Sequence, residues 1–313
     1  MNLKVKPNMK IKFMRSLSCI VFVPILILLS FSIFGNLPAF ATSGTSFSEG
    51  IEARQPENYH SSWLALTQAI EKGENLAAAY SDRCLLQIYQ KKYQNAKDDC
   101  TLALRYDRSN STAYLHRGLA YYYLGNYQDA IANYTRVVEL DPDKFTAYYN
   151  RALAYFELQN YERALQDYDR SLATNTPLTP EQIGAVYNDR GLAYAKMGNL
   201  EQAISDLSVA IHCDRNNPDF YFNRGYLGSQ DKNYLAAIRD FSRALERDSD
   251  RAEFYINRGL VWQKMGKIQA ALQDLHQGAN CLYARQDRKN YRVILNLIKR
   301  IESQLASQIP VIA

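Results

Sequence analysis

From about Ala77 to Arg285 the chain alternates apolar-striped stretches of about a dozen residues with short polar breaks. Within each stretch the apolar positions lie three and four apart, the spacing that puts them on one face of a helix. The stretch Ser111 to Lys144 shows the unit most completely. One helical pattern reaches Tyr123, Gly125-Asn126 breaks it, a second begins near Tyr127, and Asp141-Pro142 closes it. Proline has no amide hydrogen and clashes with the preceding turn, so a helix stops there. Neither helix can bury its stripe alone. The unit needs neighbours.

The chain supplies them by repetition. An Arg followed by a small residue recurs as Arg83-Cys84, Arg117-Gly118, Arg151-Ala152, Arg190-Gly191, Arg224-Gly225 and Arg258-Gly259. Every step is 34 residues except the third, which is 39. Four residues before each small residue stands a tyrosine (Tyr80, Tyr114, Tyr148, Tyr187, Tyr221, Tyr255). Twelve after it stands an alanine (Ala96, Ala130, Ala164, Ala203, Ala237, Ala271). A small residue on each helix lets two antiparallel helices approach to about 8–10 Å between axes. The tyrosines and the Leu or Ile after most of the alanines fill the seam, each fully buried side chain contributing roughly 1.5–3 kcal/mol.

On these residues the pattern resembles the tetratricopeptide-repeat family, as an exported, bacterial-type member. The resemblance implies an all-α fold, a right-handed superhelical solenoid of helix-turn-helix units with a concave inner surface. Six full repeats cover 77–110, 111–144, 145–178, 184–217, 218–251 and 252–285, with an insertion at 179–183. Lys91, Gln159 and Lys232 stand where the family has its turn glycine, and only Asp141-Pro142 keeps the closing proline.

Around this array the chain changes character. Residues 42–76 read as a degenerate repeat, an amino-terminal cap whose second helix runs from about Ser61 to Lys72. In the insertion, Thr179 can cap a helix, Pro180 suits its first position and Gln182 can reach back, which lengthens the start of the fourth repeat's first helix. After Arg285, Tyr291, Val293, Ile294, Leu297, Ile298, Ile301 and Leu305 keep helical spacing. Residues 286–313 therefore read as a solvating cap helix and tail, which the end of a solenoid requires.

Residues 1–41 differ in kind. Lys4, Lys6, Lys10, Lys12 and Arg15 form a basic leader without an acid, followed by an apolar run from Leu17 to about Phe34 and by Ala39-Phe40-Ala41. This reads as a signal peptide cleaved after Ala41, placing the mature chain in a periplasm, a lumen or outside the cell. The competing reading is an uncleaved membrane anchor through residues 17–34. The leader also accounts for the charge. The chain carries 37 Lys and Arg against 32 Asp and Glu, and the leader holds the five in excess. The remaining neutral, interspersed surface has no electrostatic footprint for nucleic acid.

Export makes disulfides possible. Cys84 and Cys100 fall on the two helices of one hairpin near the small-residue contact, and can bridge or simply be small buried residues. Cys213 and Cys281 lie two repeats apart, beyond the ~7 Å limit between Cα atoms. His60, His116, His212 and His276 share no metal-ligand spacing. No phosphate loop or nucleophile elbow occurs either. No cofactor, metal site or enzymatic activity is expected.

Sixteen residues after each ruler Arg stands an acid or its amide: Asp99, Asn133, Asp167, Asp206, Asp240, Asp274. On facing helices these predict a ladder of ion pairs. The remaining candidate for function is the inner groove. By resemblance to the family, exposed positions of each first helix line it. Here these are Leu115, Leu119, Tyr122 and Tyr123, then Tyr149, Leu153, Phe156 and Glu157, then Asn188, then Phe222 and Tyr226. Asn150, Asn223 and Asn257 stand beside the tyrosine row. An aromatic, amide-edged groove suits an extended peptide segment, because rings supply area at low entropic cost and amides satisfy a peptide backbone. The expected function is a non-catalytic scaffold that binds a peptide segment of another exported or membrane protein, in assembly or maintenance of a complex. The alternative is a self-associating solenoid, a homo-oligomer.

Overall fold

A computed structural model describes residues 59–307. The leader, its cleavage site and the first half of the degenerate repeat lie outside the described residues, as does the tail from residue 308. Among the described residues there are 14 helices and no strand. Helix α1 (Tyr59–Glu71) precedes six antiparallel hairpins. These are α2 (Leu76–Tyr89) with α3 (Tyr93–Tyr106), α4 (Ser111–Tyr123) with α5 (Tyr127–Leu140), and α6 (Phe145–Glu157) with α7 (Tyr161–Leu172). Then come α8 (Pro180–Lys196) with α9 (Leu200–Cys213), α10 (Pro218–Gln230) with α11 (Tyr234–Arg247), and α12 (Ala252–Lys264) with α13 (Ile268–Ala284). Helix α14 (Arg288–Ser307) ends the stack. The fold is an all-α repeat solenoid, and among the described residues no helix is long and apolar enough to cross a membrane.

Each hairpin turns on one residue in the left-handed backbone region. Gly125 (φ 78°), Gly198 and Gly266 hold it at no steric cost, but Lys91 (φ 59°), Gln159 (φ 60°) and Lys232 (φ 63°) hold it with a side chain. That strain costs each of the three turns about 1–2 kcal/mol. It persists because amides after the turn bond back into the helix, as in Asn160 N to the Tyr155 carbonyl at 2.9 Å.

The ruler alanines on the second helices are all fully buried, and so are the residues four positions on: Cys100, Tyr134, Tyr168, Leu207, Phe241 and Leu275. Those larger side chains pack under the small residue of the first helix. In the second repeat the fit is so close that a Cβ at Gly118 would lie 2.6 Å from Tyr134 Cε1. In the first repeat the same contact is covalent. Cys84 and Cys100 form a disulfide with Cα atoms 5.5 Å apart.

The insertion is absorbed at the start of α8. Thr179 Oγ1 accepts from Gln182 N at 3.3 Å, and Gln182 Oε1 accepts from Thr179 N at 2.9 Å. This capping box starts a helix of 17 residues, against 13 for α4, α6, α10 and α12. At the ends, α1 packs Leu66 and Ala69 onto Ala79 and Leu86, and α14 packs Ile294, Ile298 and Ile301 onto Ala279 and Leu282. Val293 was expected on that apolar face, but it is exposed.

Candidate functional site

The first helices α2, α4, α6, α8, α10 and α12 approach one another in succession more closely than consecutive second helices do. They therefore occupy the inner side of the curve. That closeness corrects part of the expected groove. Leu119 (5 % exposed), Tyr122 (6 %), Tyr149 (1 %) and Asn188 (1 %) are buried, because each is covered where neighbouring helices meet. They are packing residues, not groove lining. Leu115, Tyr123, Asn150, Phe156, Phe222, Asn223, Tyr226 and Asn257 remain half-buried. Of these, Phe222 packs its ring against Phe241 and Phe254, at 5.7 and 5.0 Å between centroids. Tyr226 packs beside the core around Leu207, Leu227 and Val261. Asn257 Nδ2 is committed to the carbonyl of Glu253 at 2.8 Å.

What stays available lies mainly on α4 and α6. The Tyr123 ring stacks on Tyr93 of the preceding repeat, centroids 4.6 Å apart. The Phe156 ring meets Tyr161 edge-on across the turn, at 5.4 Å. Both rings are held by neighbours yet retain solvent-accessible area. Between them in the sequence is Asn150, whose side-chain amide bonds no described residue.

Beneath this surface runs a polar chain that sequence reasoning missed. The Tyr149 hydroxyl on α6 donates to Asp189 Oδ2 on α8 at 2.6 Å. Asn188 Nδ2 donates to the other oxygen of Asp189 at 2.9 Å, and Asn223 Nδ2 on α10 donates to Asn188 Oδ1 at 2.8 Å. Three successive first helices are thereby tied through one buried carboxylate that has no cation against it. Burial pushes the Asp189 carboxyl up to about 6, against the two hydrogen bonds that favour its ionised form. Burial, and then the nearby carboxylate, holds the Tyr149 hydroxyl well above its ordinary value, so it stays a donor. Tyr149, Asn188 and Asn223 were named in the sequence for another reason, and Asp189 was not named. Their joining depends on side chains from three repeats, and the combination occurs once, although Asn150 and Asn257 hold the repeat position of Asn223 and Asp82 that of Asp189.

Toward the carboxyl end, the Arg251 guanidinium bonds Asp219 Oδ1 at 3.1 Å, bonds Glu253 and lies over the Phe254 ring. Burial raises the Asp219 carboxyl in spite of that cation.

The predicted ladder is formed on the other side of the first helices. Arg83, Arg151, Arg190, Arg224 and Arg258 each fork onto the Asp sixteen residues on, at 2.7–2.8 Å. Arg117 meets the neutral Asn133 instead, at 2.8 Å. Each Arg also reaches back to the preceding repeat, onto Thr67, Thr101, Thr135, Asp169, Ser208 or Ser242. Five guanidinium groups stack over the ruler tyrosine four places behind the small residue. The backward partners carried a legible signal, since they too follow the repeat period. With every Arg of the row engaged inside the protein, the row is structural.

Tetratricopeptide-repeat models match residues 115–180, 185–228 and 218–251. Over these residues the chain is made of tetratricopeptide repeats. No curated protein matches it. Among solved structures, a tetratricopeptide repeat protein from Parabacteroides merdae is similar at 23 % identity with a TM-score of 0.60, over 83 % of this chain and all of that one. Pseudomonas aeruginosa PilF matches at 18 % identity and a TM-score of 0.59, over 71 % of this chain and 97 % of its own. Both likenesses are of fold. The repeat family is that of a protein–protein interaction scaffold, and no catalytic family is indicated.

Proposed function

We propose that this tetratricopeptide-repeat protein is an exported scaffold that binds a peptide segment of another exported or membrane protein on the first-helix face of repeats two to five. In that role it assembles or maintains a larger complex. The observation that carries the reading is that Tyr123 on α4 and Phe156 on α6 are rings braced by neighbours but still accessible, and that α6 also carries the uncommitted amide of Asn150. Braced aromatics supply binding area without ordering cost, and an amide satisfies a peptide backbone. The Cys84–Cys100 disulfide supports export, because such bonds persist in oxidising compartments.

The test is site-specific photocrosslinking in the source cells, with the photoreactive residue at position 150. The expected product is a crosslink to one exported or membrane protein, lost in the Tyr123→Ala, Phe156→Ala double variant while its circular dichroism stays native. A crosslink only to a second copy of this chain would replace this reading with self-association. A crosslink unchanged by the double variant would remove the two rings from the site.

A further inference from the structure

The fifth repeat lacks a side chain that its neighbours use to close a seam. Three residues after the ruler's small residue stand Gln87, Tyr121, Tyr155, Tyr194 and Trp262 in the other repeats, and Gly228 in this one. In the first and third repeats that side chain reaches the second helix. Gln87 Nε2 donates to Asp99 at 2.8 Å, and the Tyr155 ring lies under the Arg163 guanidinium at 5.6 Å. The fifth repeat is cut back on both sides of that contact, because Ala236 occupies the place of Arg163. A Cβ added at Gly228 would make only ordinary contacts, at 3.8 Å and beyond. The result is a cleft of about 450 Å³ between α9 and α11, with α10 as its floor. That is a volume of the size small ligands fill.

The rim is basic. Arg239 and Arg243 stand one turn apart on one face of α11, both exposed, and both line the cleft. Arg239 forms no ion pair with any described residue, and Arg243 is held only by the exposed Glu246 at 3.2 Å. Arg224 and Asp240 at the floor neutralise each other. No other repeat has arginine at both of these positions.

The geometry points to a second binding site, a socket for one aromatic side chain of an acidic peptide segment, independent of the inner-face reading above. The ring takes the place that tyrosine or tryptophan fills in four other repeats. The carboxylates flanking it meet Arg239 and Arg243. Ala236, Ile204 and Tyr221 supply the apolar wall.

The probe is a fluorescein-labelled peptide, Gly-Ser-Glu-Tyr-Glu-Ser-Gly, titrated with the full chain at low ionic strength and followed by anisotropy. Saturable binding is expected, weakened by added salt. Replacing the tyrosine by alanine, or both glutamates by lysine, removes it. In the protein, Gly228→Tyr fills the socket from within. It should leave the melting temperature equal or raised and weaken the peptide at least about tenfold, the ratio a difference of 1.4 kcal/mol produces. Arg239→Gln with Arg243→Gln changes only exposed side chains and should weaken it comparably, so it decides the matter if the glycine variant folds poorly. The inner-face variant Tyr123→Ala, Phe156→Ala should bind the probe as the parent does. Absence of saturable binding, or parent-like binding by Gly228→Tyr or by the arginine variant, overturns the proposal.

Discussion

Two polar seams join the repeats, and they are built on opposite principles. The arginine ladder recurs in every repeat. Each step is charged on both sides, except at Arg117–Asn133, and each guanidinium also touches the repeat before it. The inner chain Tyr149–Asp189–Asn188–Asn223 occurs once, and its buried carboxylate is stabilised by neutral donors alone. A periodic seam sets the register of a stack, because every unit must match the next in the same way. It even survives the five-residue insertion, since Arg190 still reaches back, to Asp169. A seam that occurs once cannot set a period. It distinguishes repeats three to five from the rest, and it lies under the face proposed to bind.

The sharpest way to break this contrast is to remove the cation from one charged rung and from the neutral one. Arg151→Met strands Asp167, which is 5 % exposed, and should cost about 3–5 kcal/mol in urea unfolding. Arg117→Met leaves only the neutral Asn133 Oδ1 without its donor and should cost about 1–2 kcal/mol. Equal losses would mean that packing, not charge, gives the ladder its worth. Next in size is the one covalent contact of the hairpin series. Reducing Cys84–Cys100, which closes a separation of 16 residues, should remove about 3 kcal/mol, read as a shift in the urea midpoint on adding dithiothreitol.

The inner seam should respond to pH. The Asp189 carboxyl sits at about 6 when folded, above its ordinary 3.8, so the folded chain holds this proton more tightly than the unfolded one. Its contribution is therefore fully present below pH 3.8 and is lost as pH rises through about 6. Between pH 7 and pH 5 this group should add about 1 kcal/mol of stability. Asp189→Asn should flatten that slope, because Asn188 keeps its acceptor and the Tyr149 hydroxyl can turn to accept from the new amide. Asp189→Ala should instead cost about 1–3 kcal/mol at pH 7 by orphaning buried donors. A slope unchanged in the Asn variant would place the titration elsewhere. The smallest effect belongs to the turns. Gln159→Gly relieves a φ of 60° and should stabilise by about 0.5–1 kcal/mol, net of the entropy glycine adds to the unfolded chain.

The same contrast explains what could be read in advance. Arg83 to Arg258, their acids, the buried alanines and the capping box of Thr179 and Gln182 all announce themselves by fixed spacing, and the structure uses each as the spacing implies. The inner face was read less well. Leu119, Tyr122, Tyr149 and Asn188 occupy first-helix positions that look exposed on a single hairpin. They become buried only because adjacent first helices close on one another. Gly228 was legible only as an omission. A missing ring leaves no mark in a hydrophobic pattern, and its consequence, the cleft beside Arg239 and Arg243, exists only once α9 and α11 stand on either side of it.

The sequence by itself determined the helices, their pairing and the number and phase of the repeats. Those follow from local periodicity and from contacts within one 34-residue unit, copied along the chain. The tertiary structure alone decided which of the inner side chains stay accessible, where the unpaired carboxylate is held and where a seam is left open. Each of these depends on the distance between helices of different repeats, a quantity set by the summed packing of all their side chains and written at no single position.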